Sequence, residues 1–171
     1  MLKRITRFLL LLFGLSILGC QPKQAGDFAI YLLDKDIPSA DLFKIELQQL
    51  PLEKQPILTD ADILSYNRDT HEMELTETAY RRIQQLFSTP IKVSGIPFVV
   101  CVNNEPIYAG AFWTPLSSLS FDGVVIMQPF GEDDHRLRIE LGYPGLDLFV
   151  GIDPRSDSRM INVLESTGKL Q

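Results

Sequence analysis

The chain has 171 residues and is acidic, with 22 aspartate and glutamate residues against 16 lysine and arginine residues. This excess of negative charge argues against nucleic acid or an anionic lipid surface as the main partner. Two cysteines are too few for a disulfide framework, so packing must supply the stability.

The beginning of the chain has the order of a secretory leader, in which basic residues precede an apolar core and a small residue. Lys3, Arg4 and Arg7 come before an apolar run at residues 8–18. This run has about half of the roughly 20 residues that a membrane-spanning helix needs. The pattern therefore predicts a leader, residues 1–19, that is cleaved. A buried apolar N-terminal helix is the alternative.

The leader closes on Gly19-Cys20 and there resembles the lipobox of bacterial lipoproteins. The resemblance implies that Cys20 carries acyl chains, such as palmitate, and two or more such chains hold a protein firmly on a membrane. Residues 20–27 then form the lipidated cysteine and a short tether. Gln21, where the enteric sorting rule uses aspartate for retention, implies that an outer membrane is allowed. The expected location is the extracytoplasmic face of the cell membrane or of an outer membrane.

The first half of the predicted domain, residues 28–171, opens with an apolar strand at residues 27–33. Alternation of apolar and polar residues predicts a half-exposed strand at 42–50, although a helix also fits the spacing there. Thr59 is expected to cap a single turn that carries two carboxylates at its N-terminal end. Strands on either side of residues 68–70 suit a hairpin.

The second half begins with a helix that opens at Thr76-Glu77, followed by a strand at residues 98–102 that is apolar enough to be covered on both faces. Asn103-Asn104 predicts a tight turn into a partner strand at residues 106–113. Gly110 in that strand indicates a bulge or a close approach of two backbones.

The remaining elements are a turn at Asp122-Gly123, a strand at residues 124–127, and a half-exposed strand at 136–141. Asp153-Pro154 is typical of a helix start, and Gly168 of a helix end. The predicted fold class is α+β: one mostly antiparallel sheet with a central helix and a C-terminal helix on one side.

Residues 57–110 resemble the small head of the first periplasmic domain of the SecD translocase subunit. The resemblance rests on Pro56 to Ile63, on Leu75-Thr76-Glu77-Thr78-Ala79, and on Glu105-Pro106-Ile107-Tyr108 after the asparagine turn. The chain also resembles a group of uncharacterised bacterial lipoproteins. Both resemblances imply a fold and an extracytoplasmic setting, and neither implies translocation.

Candidate catalytic and metal sites are few. Glu132, Asp133, Asp134 and His135 are the densest set of metal-type ligands, but consecutive residues cannot all turn toward one ion, so a solvated acidic turn is expected. His71 is expected to be a surface or edge histidine. Neither a metal site nor a cofactor is predicted.

Phe112 and Trp113 are the candidate binding residues, because an aromatic pair that leaves a strand into a proline loop can supply contact area at low entropy cost. Packing in the core explains the same pair, and the sequence leaves both interpretations open. Cys101 lies among valines and is expected to be an inert buried thiol without an intrachain partner.

The function predicted from the sequence is that of a membrane-anchored, non-catalytic lipoprotein domain that binds an envelope protein or a small ligand. The alternative is an extracytoplasmic hydrolase that uses His135 or His71 with a nearby acid. A third hypothesis is a structural accessory of an envelope complex.

Overall fold

The computed structural model describes residues 27–131 and 134–171. The predicted leader and Cys20 lie outside the described residues. The eight strands are β1 (Phe28–Leu32), β2 (Leu58–Thr59), β3 (Ile63–Asn67), β4 (Glu72–Leu75), β5 (Ile96–Val102), β6 (Glu105–Trp113), β7 (Phe121–Met127) and β8 (Arg136–Tyr143). The two α-helices are α1 (Glu77–Gln85) and α2 (Ser158–Ser166). The α+β class predicted from the sequence is confirmed, with the sheet as the larger part.

The strands form one sheet in the order β2-β1-β5-β6-β7-β8-β4-β3. β2 and β3 stand at opposite ends of this order, yet only the single turn Asp60–Asp62 separates them in the chain. Because so short a connection cannot span a flat eight-stranded sheet, the sheet curls until its two edges come close together.

Every neighbouring pair is antiparallel except β6 and β7, which run parallel. A parallel pair ordinarily needs a crossover of about a dozen residues or more, whereas residues 114–120 alone return the chain here. Thr114 and Ser117 of this connection are buried, whereas its other residues are exposed.

The two sides of the sheet carry separate apolar clusters, and β5 shows why. Phe98, Val100 and Val102 belong to the larger cluster, which also contains the buried residues of both α-helices. Val99 and Cys101 point the other way, into a smaller cluster with Trp113. The prediction that this strand is covered on both faces is therefore confirmed.

The predicted strand at 42–50 is wrong, and so is its helical alternative. The chain forms two short 3₁₀ turns, Ser39–Lys44 and Leu47–Gln49, which lie over the smaller cluster. The segment packs against β5 and β6, and both edges of these strands are already paired within the sheet, so it cannot form a ladder with them. Its backbone N–H groups bond locally instead. Leu42 and Leu50 are buried in the smaller cluster, and Ile45 and Leu47 pack against it.

Two further predicted boundaries are wrong. Asp122 and Gly123 do not form a turn before β7 but lie inside it, where the register with β8 shifts between Phe121 and Val124. α2 does not begin at Asp153, because that side chain accepts hydrogen bonds from Arg155 within a turn. Asp157, whose carboxylate accepts from the N–H of Arg159, is the residue that precedes the helix.

Candidate functional site

The two residues predicted for binding are both buried, Phe112 fully and Trp113 with 2% of its surface exposed. They lie on opposite faces of β6, Phe112 in the larger cluster and Trp113 in the smaller one. This corrects the expectation of an exposed aromatic patch and agrees with the alternative of core packing. From the same stretch, Leu116 and Leu119 are the large apolar residues that are exposed.

His71 lies in a polar cluster that holds no nucleophile. Its Nδ1 atom is 3.0 Å from the hydroxyl of Tyr66, and that hydroxyl donates to the backbone oxygen of Arg155 at 3.2 Å. Burial first, and then the positive charge of Arg155, hold the pKa of His71 below its usual value, although Asp153 and Asp69 oppose this. This arrangement fixes the position of the histidine.

His135 packs its ring against Tyr80, with 5.2 Å between the ring centres. Asp134 faces Arg136 at 3.7 Å, while Glu132 and Asp133 lie outside the described residues. In the described part of the chain, neither His135 nor His71 is hydrogen-bonded to a carboxylate or a serine hydroxyl. The same residues contain no group of three acidic, histidine or cysteine side chains that could hold a metal ion.

Cys101 is the free cysteine of the described residues and is 1% exposed. Burial raises the pKa of its thiol to about 11. Since the thiolate is the nucleophilic form, the surroundings of this residue do not activate it.

Among the described residues, an apolar groove of about 390 Å³ is lined by members of both clusters, such as Ala109 of the smaller and Tyr108 of the larger one. β6 and β7 provide its floor, through Ala109, Gly123 and Val124. One wall is the segment with the two 3₁₀ turns, and the other is the loop at residues 149–154. The volume lies within the range of small-molecule and cofactor pockets, about 300–1,000 Å³.

The local chain explains how the groove is held open. Gly123 leaves room for the ring of Phe43, because a Cβ atom added at Gly123 would lie 2.5 Å from Phe43 Cζ. The N–H of Val150 donates to the backbone oxygen of Asp122 at 3.0 Å, which fixes the second wall to the floor. Both walls are therefore attached at the bulged start of β7.

An aromatic stack connects the groove with the core. The ring of Phe43 lies 5.7 Å from Phe121, and Phe121 lies 5.2 Å from Trp113, both in stacked geometry. Tyr143 follows at 5.7 Å from Trp113. Trp113 is the single tryptophan of the chain, so its fluorescence can report on a change at Phe43.

The rim of the groove is apolar and exposed to an unusual degree. Phe43 is 55% exposed, Val150 75% and Ile152 93%. Leu146 and Leu148, just before the second wall, are also exposed. A contiguous exposed apolar surface of this kind marks a binding site more often than scattered single residues do.

The charge at the groove is negative. Asp122 is the charged residue among those that line it, and its side chain is exposed. Glu46 lies between two lining residues of the first wall, and Asp147 lies just before the second. The site can therefore hold an apolar group and, at its edge, a cation.

Sequence reasoning missed this groove, because four separate segments of the chain build it. One local signal was present: Leu146, Leu148, Val150 and Ile152 occupy every second position of a stretch rich in glycine and aspartate. In a folded domain such alternation predicts a buried face, and here all four side chains are exposed.

None of the helices in the described residues has the length and apolar character that crossing a bilayer requires. No family model matches the chain, and no curated protein and no solved structure matches it either. The resemblances to bacterial lipoproteins and to the SecD head therefore stay predictions from the sequence.

Proposed function

We propose that this protein is a membrane-anchored lipoprotein whose folded domain is a non-catalytic binding module for an apolar ligand. The proposal has two halves, membrane anchoring and ligand binding. The observation that supports ligand binding is the groove of about 390 Å³ with an exposed apolar rim. The anchoring half is supported by the order of charges and apolar residues that ends at Cys20.

The tether limits how far the domain lies from the lipid. Asp27 is the first described residue and is fixed to the turn after β5, since its N–H donates to Asn103 Oδ1 at 3.2 Å. The chain from Cys20 to Asp27 reaches at most about 25 Å when fully extended. A domain on such a tether works at the extracytoplasmic surface of the membrane that carries it.

The binding half follows from the cost of exposing apolar surface to water. Each Å² of apolar surface removed from water contributes about 25 cal/mol, so covering Phe43, Val150 and Ile152 favours a complex. The groove opens to solvent beside residues 149–154, where the exposed Val150 and Ile152 line it and a ligand can enter.

Mass spectrometry of the protein isolated from the membranes of producing cells tests the anchor. We expect an N-terminal fragment that begins at Cys20 and carries the mass of a diacylglyceryl group and any further acyl chain. An unmodified Cys20, or a leader still attached, contradicts the anchoring half of the proposal.

Energy transfer from Trp113 tests the groove in the full chain reconstituted into vesicles. The neutral apolar dye 1-aminoanthracene is titrated, and dye bound near Phe43 is excited through Trp113. Phe43→Asp should reduce the transfer to the background given by dye in the vesicles. Leu64→Asp is the matched control, because Leu64 is 51% exposed and lies on β3. Equal transfer in both variants contradicts the binding half.

A further inference from the structure

We infer that the groove binds a segment of a partner protein that combines apolar side chains with a lysine or arginine, whose cation pairs with Asp122. This inference rests on the proposed function and specifies the ligand of the same groove.

The charges at the rim are unbalanced. Lys44 is paired with Asp41 at 2.6 Å, and Arg155 is paired with Asp153 at 2.8 Å. In contrast, no basic nitrogen of the described residues lies within 4.0 Å of the carboxylates of Asp122, Glu46 or Asp147. The cations near the groove are already neutralised and the acidic groups are not, so a cationic ligand is favoured.

The same charges disfavour the usual lipids. A fatty acid or an anionic phospholipid would bring a second negative charge close to Asp122, and like charges repel. A lysine or arginine does the opposite, because its aliphatic stem can lie along the exposed Phe43 and Val150 while the charged end reaches Asp122. A peptide provides such a residue next to further apolar side chains.

A peptide could also bind as an added strand at an edge of the sheet, but both edges are poorly accessible. The edge strand β2 contains only Leu58 and Thr59. On β3, the N–H of Tyr66 donates to the oxygen of Lys169 at 2.7 Å, and the N–H of Gln171 donates to the oxygen of Tyr66 at 2.9 Å. The C-terminal residues thus cover that edge, so addition of a strand is less accessible than the groove.

Selection of random nine-residue peptides displayed on phage, with the full chain in neutral vesicles as the target, tests the inference. We expect the selected peptides to be enriched in sequences that join one lysine or arginine to at least two apolar residues. Asp122→Asn should keep the apolar preference and lose the basic one. Asp69→Asn removes the same charge from an exposed turn and should select like the wild type.

The affinity of one selected peptide is then measured by fluorescence anisotropy. Asp122→Asn should weaken binding about two- to fivefold, which is what an exposed ion pair contributes. No enrichment, an acidic preference, or no effect of Asp122→Asn overturns the inference. Palmitate that displaces 1-aminoanthracene more strongly than the peptide does would assign the groove to lipid and overturn it too. In each case dye binding that depends on Phe43 still supports the proposed function, so the two failures can be told apart.

Discussion

Gly110 permits a close approach between β6 and β7. A Cβ atom added there would lie 2.5 Å from the backbone oxygen of Val124 and 2.7 Å from Phe98 Cζ. The first atom belongs to the backbone of β7 and cannot rotate away. The parallel pairing of β6 with β7, which forms the floor of the groove, therefore requires a residue without a side chain at this position.

Gly110→Ala should lower the free energy of unfolding by about 1–3 kcal/mol, the usual cost of forcing a methyl group into a well-packed core. Gly145→Ala is the matched control, since its backbone is extended and nothing lies within 4 Å of the added atom. The control should stay within about 0.5 kcal/mol of the wild type. Urea unfolding of both variants measures the difference, and equal values would contradict the close approach.

At the scale of residues, the sequence predicts conformation better than exposure. Asn103 and Asn104 have the positive φ expected of a tight asparagine turn, and Gly110 has the predicted close approach, because backbone geometry of this kind depends on residue type. The burial of Trp113 was not predictable, since the rings that pack against it, Phe121 and Tyr143, belong to β7 and β8. Their contact with Trp113 depends on the pairing of whole strands.

The turn Asp60–Asp62 joins the two edges of the curled sheet, and one helix residue holds it. Asp62 Oδ2 accepts the N–H and the hydroxyl of Thr59, at 2.9 and 3.1 Å. Both carboxylate oxygens of Asp62 also accept from Arg82 of α1, at 3.2 and 3.3 Å, and Arg82 donates to the oxygen of Ile57 at 2.7 Å. One ion pair thus connects β2, the turn and α1.

Asp62→Ala should lower the free energy of unfolding by about 1–3 kcal/mol, because hydrogen bonds to a charged, partly buried group are lost. Arg81→Ala breaks the exposed pair of Glu77 with Arg81 on the same helix and is the control. It should cost less than about 0.5 kcal/mol. Chemical unfolding at neutral pH measures both variants. A similar loss of unfolding free energy in both would show that Asp62 contributes no more than an exposed ion pair.

The effect of Asp62 also depends on pH. Burial is the largest single influence and raises its pKa, but the hydrogen bonds from Arg82 and Thr59 together outweigh it and leave the pKa below 3.8. A carboxyl with a lowered folded pKa stabilises the protein above its unfolded pKa. The difference between wild type and Asp62→Ala should therefore be complete at neutral pH and shrink as the pH falls through the folded pKa.

At the scale of elements, the sequence predicts a segment well when neighbouring residues decide its structure. The hairpin of β5 and β6 is an example, because its turn and both its strands are contiguous. The segment at 42–50 shows the opposite. Its alternation fits a strand, but a strand needs a free partner, and the sheet order decides whether one exists. The 3₁₀ turns are the outcome of that long-range condition.

At the scale of the whole molecule, the curl of the sheet and the groove could not be predicted. β4 pairs with β8, and β1 with β5, across long stretches of chain, and no local pattern encodes such partners. The groove depends on a pairing of the same kind, because β6 and β7 form its floor and two further segments form its walls. The α+β class was predictable because it needs only the types of elements.

His71 connects distant parts of the molecule through Tyr66. The Tyr66 hydroxyl contacts His71 Nδ1 in the β3–β4 hairpin and donates to the oxygen of Arg155. Arg155 Nη1 in turn donates to the oxygen of Ile139 in β8, at 3.0 Å. Pro154, next to Arg155, lines the groove. The hairpin, β8 and one wall of the groove are therefore held together at a histidine whose pKa is lowered.

The stability of the protein should fall as the pH drops from about 6.5, the ordinary pKa of His71, toward its lower folded pKa. In this window the unfolded chain binds a proton that the folded chain does not, because burial and the charge of Arg155 disfavour the imidazolium. His71→Asn should remove this contribution. Asparagine tolerates the positive φ of 56° at this position, so the backbone is preserved.

Free energies of unfolding in urea between about pH 5 and pH 8, the range in which histidine titrates, measure the effect. The difference between wild type and His71→Asn should change with pH in the predicted direction. His135→Asn is the control, since it leaves the contact of His71 with Tyr66 intact and should keep the wild-type dependence that His71 provides. A difference between wild type and His71→Asn that stays constant across this range would contradict the prediction. It would show that His71 binds its proton equally well in the folded and unfolded chains. The link through Tyr66 to Arg155 would then not depend on the charge of His71.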